Sequence, residues 1–218
     1  STDFTDVTLD YQPGHGWPEA REARGRFGLT GPEFWLTLAD GRLLDSRASD
    51  LTVRIPDVVT REKRLLLDGT ATGPARDAIR FIKESPLAAR LGRQVARLGF
   101  DGQATTQVQL DLTFTGPAKS TRVTGRTRLD GNTLTLDGTG LVVQALRGDV
   151  GFGSAGLDAR GVQARLFGGP VVFDLTSSAG KPLRIEPRGE ALAAEVVRYL
   201  RLPWPALFDG PLPWQGGV

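Results

Sequence analysis

The stretch TTQVQLDLTFTG, residues 105–116, decides how the rest of the chain is read. Val108, Leu110, Leu112 and Phe114 alternate with Gln109, Asp111 and Thr113. Side chains of an extended strand point to opposite faces in turn. The pattern therefore predicts a strand with one apolar and one solvated side.

Outward from there the same style recurs. In TRVTGRTRLDGNTLTLDG (121–138), Asp130-Gly131-Asn132 is a hairpin signal between two predicted strands. LVVQALRGDVGF (141–152), VQARLF (162–167), PVVFDL (170–175) and KPLRIEPRG (181–189) continue it. Toward the N-terminus, VTLDYQP, RFGLTG, FWLTLADG, RLLDSRASDLTVRIP and RLLLDGTATG read as strands and turns, punctuated by Pro13, Pro18, Pro32 and Pro56. Short strands separated by Gly, Asp, Ser or Pro predict an antiparallel meander. Three segments have helical spacing instead. PARDAIRFIKES (74–85) offers Pro74 for a first turn, LAARLGRQVARLG (87–99) has an apolar stripe, and EALAAEVVRYL (190–200) ends before Pro203.

The pieces recur in order. ARGRFGL (23–29) aligns with LRGDVGF (146–152), ADGR (39–42) with ARGV (159–162), and DLTVRIP (50–56) with PVVFDLT (170–176). RLLLDG aligns with PLRIEPRG, each followed by a helix and a proline. This predicts a weak internal duplication: 23–98 and 146–203 as sub-repeats, with 104–145 as intervening strands, all within one segment of a larger protein over 1–218.

Composition narrows the chemistry. With 27 basic and 25 acidic residues among 218, the net charge is only +2, and nothing calls for nucleic acid. There is no Cys, so disulfides, thiolate catalysis and Cys-ligated metals are excluded. There is no Met, even at position 1, which predicts an internal fragment. No 18-residue apolar run is present.

Several motifs bear on catalysis or cofactors. GFGSAG (151–156) matches the glycine pattern of dinucleotide loops, but a strand-like stretch follows where a helix is needed, so a glycine-rich hairpin turn is expected. His15 is the single histidine, in the turn-rich QPGHGWP, and cannot alone form a metal site or triad. Asp111, Asp130, Asp137, Asp149, Asp158 and Asp174 fall at turns and on solvated strand faces, where carboxylates are ordinary. Arg90, Arg93 and Arg97 form a charged helix face that is either solvated or suited to anionic headgroups. Trp17, Trp35, Trp204 and Trp214 lie near turns and ends, and WPALFDGPLPW (204–214) reads as an unfinished strand or a tail. No enzyme activity, cofactor or metal is expected.

What remains is a mainly β chain with few helices to cover its apolar faces. Two sheets in a sandwich would bury them. One strongly curved antiparallel sheet would make an apolar groove suited to acyl chains, each buried methylene being worth about 0.8 kcal/mol. A structural or adhesive β-repeat module, binding a protein or glycan, is the alternative function. A two-carboxylate hydrolase is a distant third. Free edge strands at both ends of such a sheet predict self-association.

GRLLDSRASDLTVRIPD, DGTATGPARDAIRFIKESPLA, TRVTGRTRLDGNTLTLDG and LRGDVGFGSAGLDARGVQARLFGGPVVFDL, in that order, resemble the YhdP-like branch of the AsmA-like family of Gram-negative bacteria. The resemblance spans nearly the whole chain. It implies a curled β-taco sheet and a long periplasmic body, anchored by an N-terminal helix in the inner membrane of the parent protein. It further implies a bridge-like path for phospholipid toward the outer membrane, with acyl chains and adjacent segments of the same protein as partners. WPEAREARG (17–25) departs from the family by its charge. No family signature marks the lining, so it follows the predicted apolar faces. These assign Val53, Ile55, Leu65, Leu67, Val108, Leu110, Leu112, Phe114, Leu129, Leu134, Leu136, Val150, Phe152, Val162, Leu166, Val171, Phe173, Leu175, Leu183 and Ile185.

Overall fold

The computed structural model describes residues 1–9, 18–84, 88, 95–113, 115–116, 120–154, 156–178, 181, 183–202 and 210–217. Among these, thirteen strands and two short helices are found. The first five strands are β1 (Thr2–Leu9), β2 (Ala20–Thr30), β3 (Glu33–Leu43), β4 (Ser46–Ile55) and β5 (Arg64–Pro74), followed by α1 (Arg76–Lys83). Then come β6 (Leu98–Asp101), β7 (Gln103–Thr113), β8 (Ser120–Leu136), β9 (Leu141–Gly153) and β10 (Gly156–Leu166). β11 (Gly169–Thr176), β12 (Arg184–Leu192), α2 (Ala193–Tyr199) and β13 (Pro211–Gln215) complete the order.

All strands join one antiparallel sheet in sequence order. β6 alone leaves that path and pairs with the second half of β8. The sheet does not close, since β1 and β13 are its two ends. Twelve strands side by side span about 50 Å at the usual strand spacing.

Exposed area decides between sandwich and open sheet. A compact chain of 23.4 kDa exposes about 9,700 Å². This chain exposes 14007 Å². Two sheets packed face to face would hide that excess. A single open sheet, consistent with a curved β-taco, leaves it in solvent.

Bulges bend the strands. Asp6, Glu22, Asp50 and Ala145 sit within strands at φ between 52° and 55°, and Gly131 and Gly161 also have positive φ. An extra residue in the left-handed region interrupts pairing and bends the strand. Register shifts mark β1, β2, β4, β8, β9 and β10 accordingly. At Glu22 the bulge places Arg21, Glu22 and Arg24 in solvent while Ala23 is fully buried. That is how a charged opening strand packs despite its composition.

Four expectations need correction. Asp130-Gly131-Asn132 is not a hairpin turn but a bulge within β8, which continues through it for 17 residues in all. Asn132 is fully buried. Its Oδ1 accepts from the Asp130 N–H at 2.9 Å, and its Nδ2 donates to the Asp101 and Gln103 carbonyls at 3.1 and 2.9 Å. This side chain ties β8 to the corner between β6 and β7, where β8 exchanges one partner for the other. Pro74 does not open the first helix but ends β5 opposite Gln103. The second helix starts at Ala193, since Glu190–Leu192 remain in β12 paired to β13. GVQARLF belongs to a strand that already begins at Gly156, the bulge at Gly161 accommodating the extra length. Most of the predicted helix over 87–99 lies outside the described residues.

Candidate functional site

Cross-strand partners share a face, so the registers show which side chains assemble. One row runs Phe27–Leu36–Val53–Leu67–Leu110–Val123. The next joins Phe4, Gly25, Leu38 and Leu51, and continues through Gly69, Val108, Gly125, Phe152 and Leu157. A third links Ala48, Ala71, Thr106, Thr127, Val150, Ala159, Leu175 and Ile185. Below it, Ala104 pairs with Leu129, and Val162 pairs with Phe173. Followed through the bulges, this face carries no charged strand residue among the described residues. Its polar members are Thr2, Ser46, Thr106, Thr121, Thr127 and Asn132.

Two apolar clusters lie on it. Ala23, Leu38 and Ala48 pack with Phe4, Leu9, Leu36 and Leu51 at the β1 end. The larger one centres on Leu129, Val143, Leu146, Ala159, Val162, Ala164, Leu166 and Val171, reaching Phe100 and Trp214. Between them the face is built of small groups. Leu51 leans toward Gly69, and Phe152 lies over Gly125 so closely that a Cβ there would meet its ring at 2.3 Å. Thr106 and Thr127 share a hydrogen bond at 3.0 Å.

The structure brings most of the sequence-assigned lining residues onto this face. Val53, Ile55, Leu65, Leu67, Val108, Leu110, Leu112, Leu134, Leu136, Val150, Phe152, Phe173, Leu175 and Ile185 are half-buried there. Leu129, Val162, Leu166 and Val171 are covered by their neighbours. Leu183 precedes β12 and is exposed. Phe114 and His15 lie outside the described residues. Sequence reasoning missed Phe4, Phe27, Leu36, Leu38 and Leu51, although the alternation in FWLTLADG carries the same signal.

The opposite face is an array of cross-strand ion pairs. Arg64 donates to both Asp111 oxygens at 2.7 and 2.6 Å, and Arg128 donates to Asp149 at 3.1 Å. Arg54 pairs with Glu33, Arg47 with Asp40, Arg26 with Asp3 and Arg147 with Asp130. The hydrogen bonds from Arg64 and Arg128 hold the Asp111 and Asp149 carboxyls below the usual range. Asp174 is lowered chiefly by the Gly161 N–H at 2.7 Å, then by Arg188 at 2.7 Å. These three carboxylates are held by donors on a solvated face. Among the described residues, no three His, Cys, Asp or Glu side chains converge.

GFGSAG is divided between two strands. Gly151 and Gly153 belong to β9, and Gly156 opens β10 opposite Gly153. Ser154 N–H donates to the Val123 carbonyl at 2.9 Å, and its hydroxyl accepts from the Val123 N–H at 2.9 Å. Among the described residues no helix begins there, and the glycines flank the hairpin that joins β9 to β10. Arg97 donates twice to the Asp137 carbonyl, at 2.9 and 2.7 Å, while Arg90 and Arg93 lie outside the described residues.

The family model for the YhdP protein matches residues 2–218. The chain is 25% identical over 203 residues to the intermembrane phospholipid transporter YhdP of Escherichia coli (strain K12), covering 93% of this chain and 15% of that protein. The chain thus spans about a seventh of that relative's length. No solved structure matches. No described helix is long and apolar enough to cross a membrane.

Proposed function

The chain belongs to the YhdP family, and from that premise we propose that its uncharged face is one section of a hydrophobic groove. The groove carries phospholipid acyl chains between the inner and outer membranes. The observation that carries this reading is the contrast between faces: among the described residues, no charged strand residue on one, a lattice of arginine–carboxylate pairs on the other. In an open sheet, such an uncharged face is costly unless something apolar occupies it.

Magnitudes suit a conduit. Half-covering a sixteen-carbon chain gains about 6 kcal/mol. That holds a chain against loss to water, yet an even apolar floor gives it no single deep resting place. The glycine gaps filled by Leu51 and Phe152 keep the floor level. The half-buried side chains contact the lipid, and Leu129, Val162, Leu166 and Val171 support them from beneath. The body of the parent protein lies in the periplasm, anchored in the inner membrane by a segment other than those described, and neighbouring segments extend the groove. The reading requires no catalytic group. The stretches 23–98 and 146–203 are repeats of one groove-building unit.

Purification without detergent, followed by lipid mass spectrometry, should recover phospholipid. Photo-crosslinkers at Leu110, Leu112 and Phe173 should capture acyl chains. Leu112→Asp places a charge on the uncharged face and should reduce capture about tenfold or more. Asp111→Leu, one residue away on the other face, should not. No lipid recovered and no crosslinking at these positions would sink the proposal.

A further inference from the structure

We infer that Thr106 and Thr127 form a hydrogen-bonding station on the uncharged face, offering one hydroxyl proton to an ester carbonyl of a phospholipid held there. The inference rests on the reading of that face as a groove for acyl chains.

The face holds few polar side chains, and most are already engaged or at its margin. Asn132 uses its oxygen on the Asp130 N–H and its amide on the Asp101 and Gln103 carbonyls. Ser46 donates its hydroxyl to Asp77 Oδ2 at 2.7 Å. Thr2 and Thr121 are exposed, at the starts of β1 and β8. Thr106 and Thr127 differ. They sit opposite each other inside β7 and β8, half-buried, with their hydroxyl oxygens 3.0 Å apart.

Two hydroxyls carry two protons. One lies in the bond between them, whichever residue donates. The other meets no acceptor among the described residues. A second threonine pair supplies the contrast. Thr72 and Thr105 meet at 3.2 Å on the solvated face, where water takes the spare proton. An acyl chain lying over Thr106 and Thr127 displaces that water, and a donor left without an acceptor destabilises the filled groove. An occupant that brings its own acceptor restores the bond.

The surroundings define that acceptor. Ala71 stands beside Thr106, and Ala104 lies two residues along, so only methyl groups border the pair on the β5 side. Among the described residues, no charged strand residue shares the face to balance an anion, which disfavours a phosphate and favours a neutral oxygen. An ester carbonyl is the neutral acceptor at the root of each acyl chain. From there a chain can follow the row either way. Ala71 and Ala48 lead to the small apolar cluster, and Val150 and Ala159 lead into the large one. One hydrogen bond in place of water holds the lipid weakly, marking a pause along the groove without stopping passage.

Vesicles containing equal amounts of diester and diether phosphatidylcholine with identical chains provide the test, since the diether lacks only the carbonyls. The 218-residue chain is incubated with them, separated, and its lipid identified by mass spectrometry. The diester should be captured about fivefold over the diether, the ratio that one ordinary net hydrogen bond gives. Thr106→Val combined with Thr127→Val keeps the branched shape and removes both hydroxyls together. It should bring the ratio close to one with total capture maintained. Thr72→Val combined with Thr105→Val, on the other face, should leave the preference intact. In the unaltered chain, the infrared carbonyl band of the bound diester should show a hydrogen-bonded component, a readout that needs no variant. Equal capture of the two lipids by the unaltered chain would overturn the inference while leaving the groove reading in place. So would a preference, or a hydrogen-bonded carbonyl band, that survives in the valine pair. Capture of neither lipid would overturn both.

Discussion

Two stretches of the molecule follow the same path with different chemistry. β2–β5 with α1, and β9–β12 with α2, are each four antiparallel strands followed at once by a short helix. In each, the helix returns to the turn between the second and third strands. In the first stretch the contact is polar. Asp77, 6% exposed, accepts from the Asp45 N–H at 2.9 Å and the Ser46 hydroxyl at 2.7 Å, and Arg76 and Arg80 reach Asp45 at 3.2 Å. In the second it is apolar. Phe167 meets Tyr199 with ring centroids 5.0 Å apart, and Leu192 lies over Gly168. The rest of each stretch follows suit: Ala23, Leu38 and Ala48 form the small cluster, whereas Val162, Val171 and their neighbours form the large one. One backbone route thus accepts either kind of closure, and burial is concentrated in the second.

The largest effect that would sharpen this comparison comes from Asp77→Ala. It leaves the buried Ser46 hydroxyl and the part-buried Asp45 N–H without their acceptor and should cost about 3 kcal/mol in denaturant unfolding, with amide exchange at Asp45 accelerated. Tyr199→Ala, its counterpart, removes a ring contact from a partly exposed site and should cost about 1 kcal/mol. Equal losses would erase the distinction between the two closures. Ala145→Gly relieves a left-handed backbone in β9 and should raise stability by about 1 kcal/mol. Asp50→Gly in β4 should gain only about 0.3 kcal/mol, since Asp tolerates that region better.

Acid is the gentlest probe. Asp111, Asp149 and Asp174 have folded-state values below their unfolded ones, so the unfolded chain takes up protons first as pH falls. Their contribution is complete above the ordinary Asp range near pH 4 and is lost as pH drops through the folded values. Asp149 and Asp174 lie in β9 and β11, so the second stretch should lose more of its exchange protection in acid. Arg128→Gln should shrink that difference.

Much of the face was legible because period-two alternation survives wherever strands are straight. TTQVQLDLTFTG shows both sides of β7 at a glance, and the strand-like stretch after GFGSAG already points to a hairpin. Bulges were not legible. Asp130-Gly131-Asn132 has the residues of a tight turn, and only the tertiary partners of Asn132, the carbonyls of Asp101 and Gln103, keep the strand going. Pro74 suits either a helix start or a strand end, and pairing with β7 chose the second.

The arginine–carboxylate lattice has a consequence for how such a sheet tolerates change. Away from the glycine gaps at Gly69 and Gly125, an apolar floor of Leu, Val and Phe is nearly indifferent to sliding by two residues, because one methyl group meets another much like it. Charges are not: a slip of two would part Arg64 from Asp111 and Arg188 from Asp174. Alignment is thus recorded on the solvated side, leaving the other side free to be re-lettered. A library that shuffles aliphatic residues at Leu65, Leu67, Leu110 and Leu112 should keep the strand pairing intact while altering what the face holds.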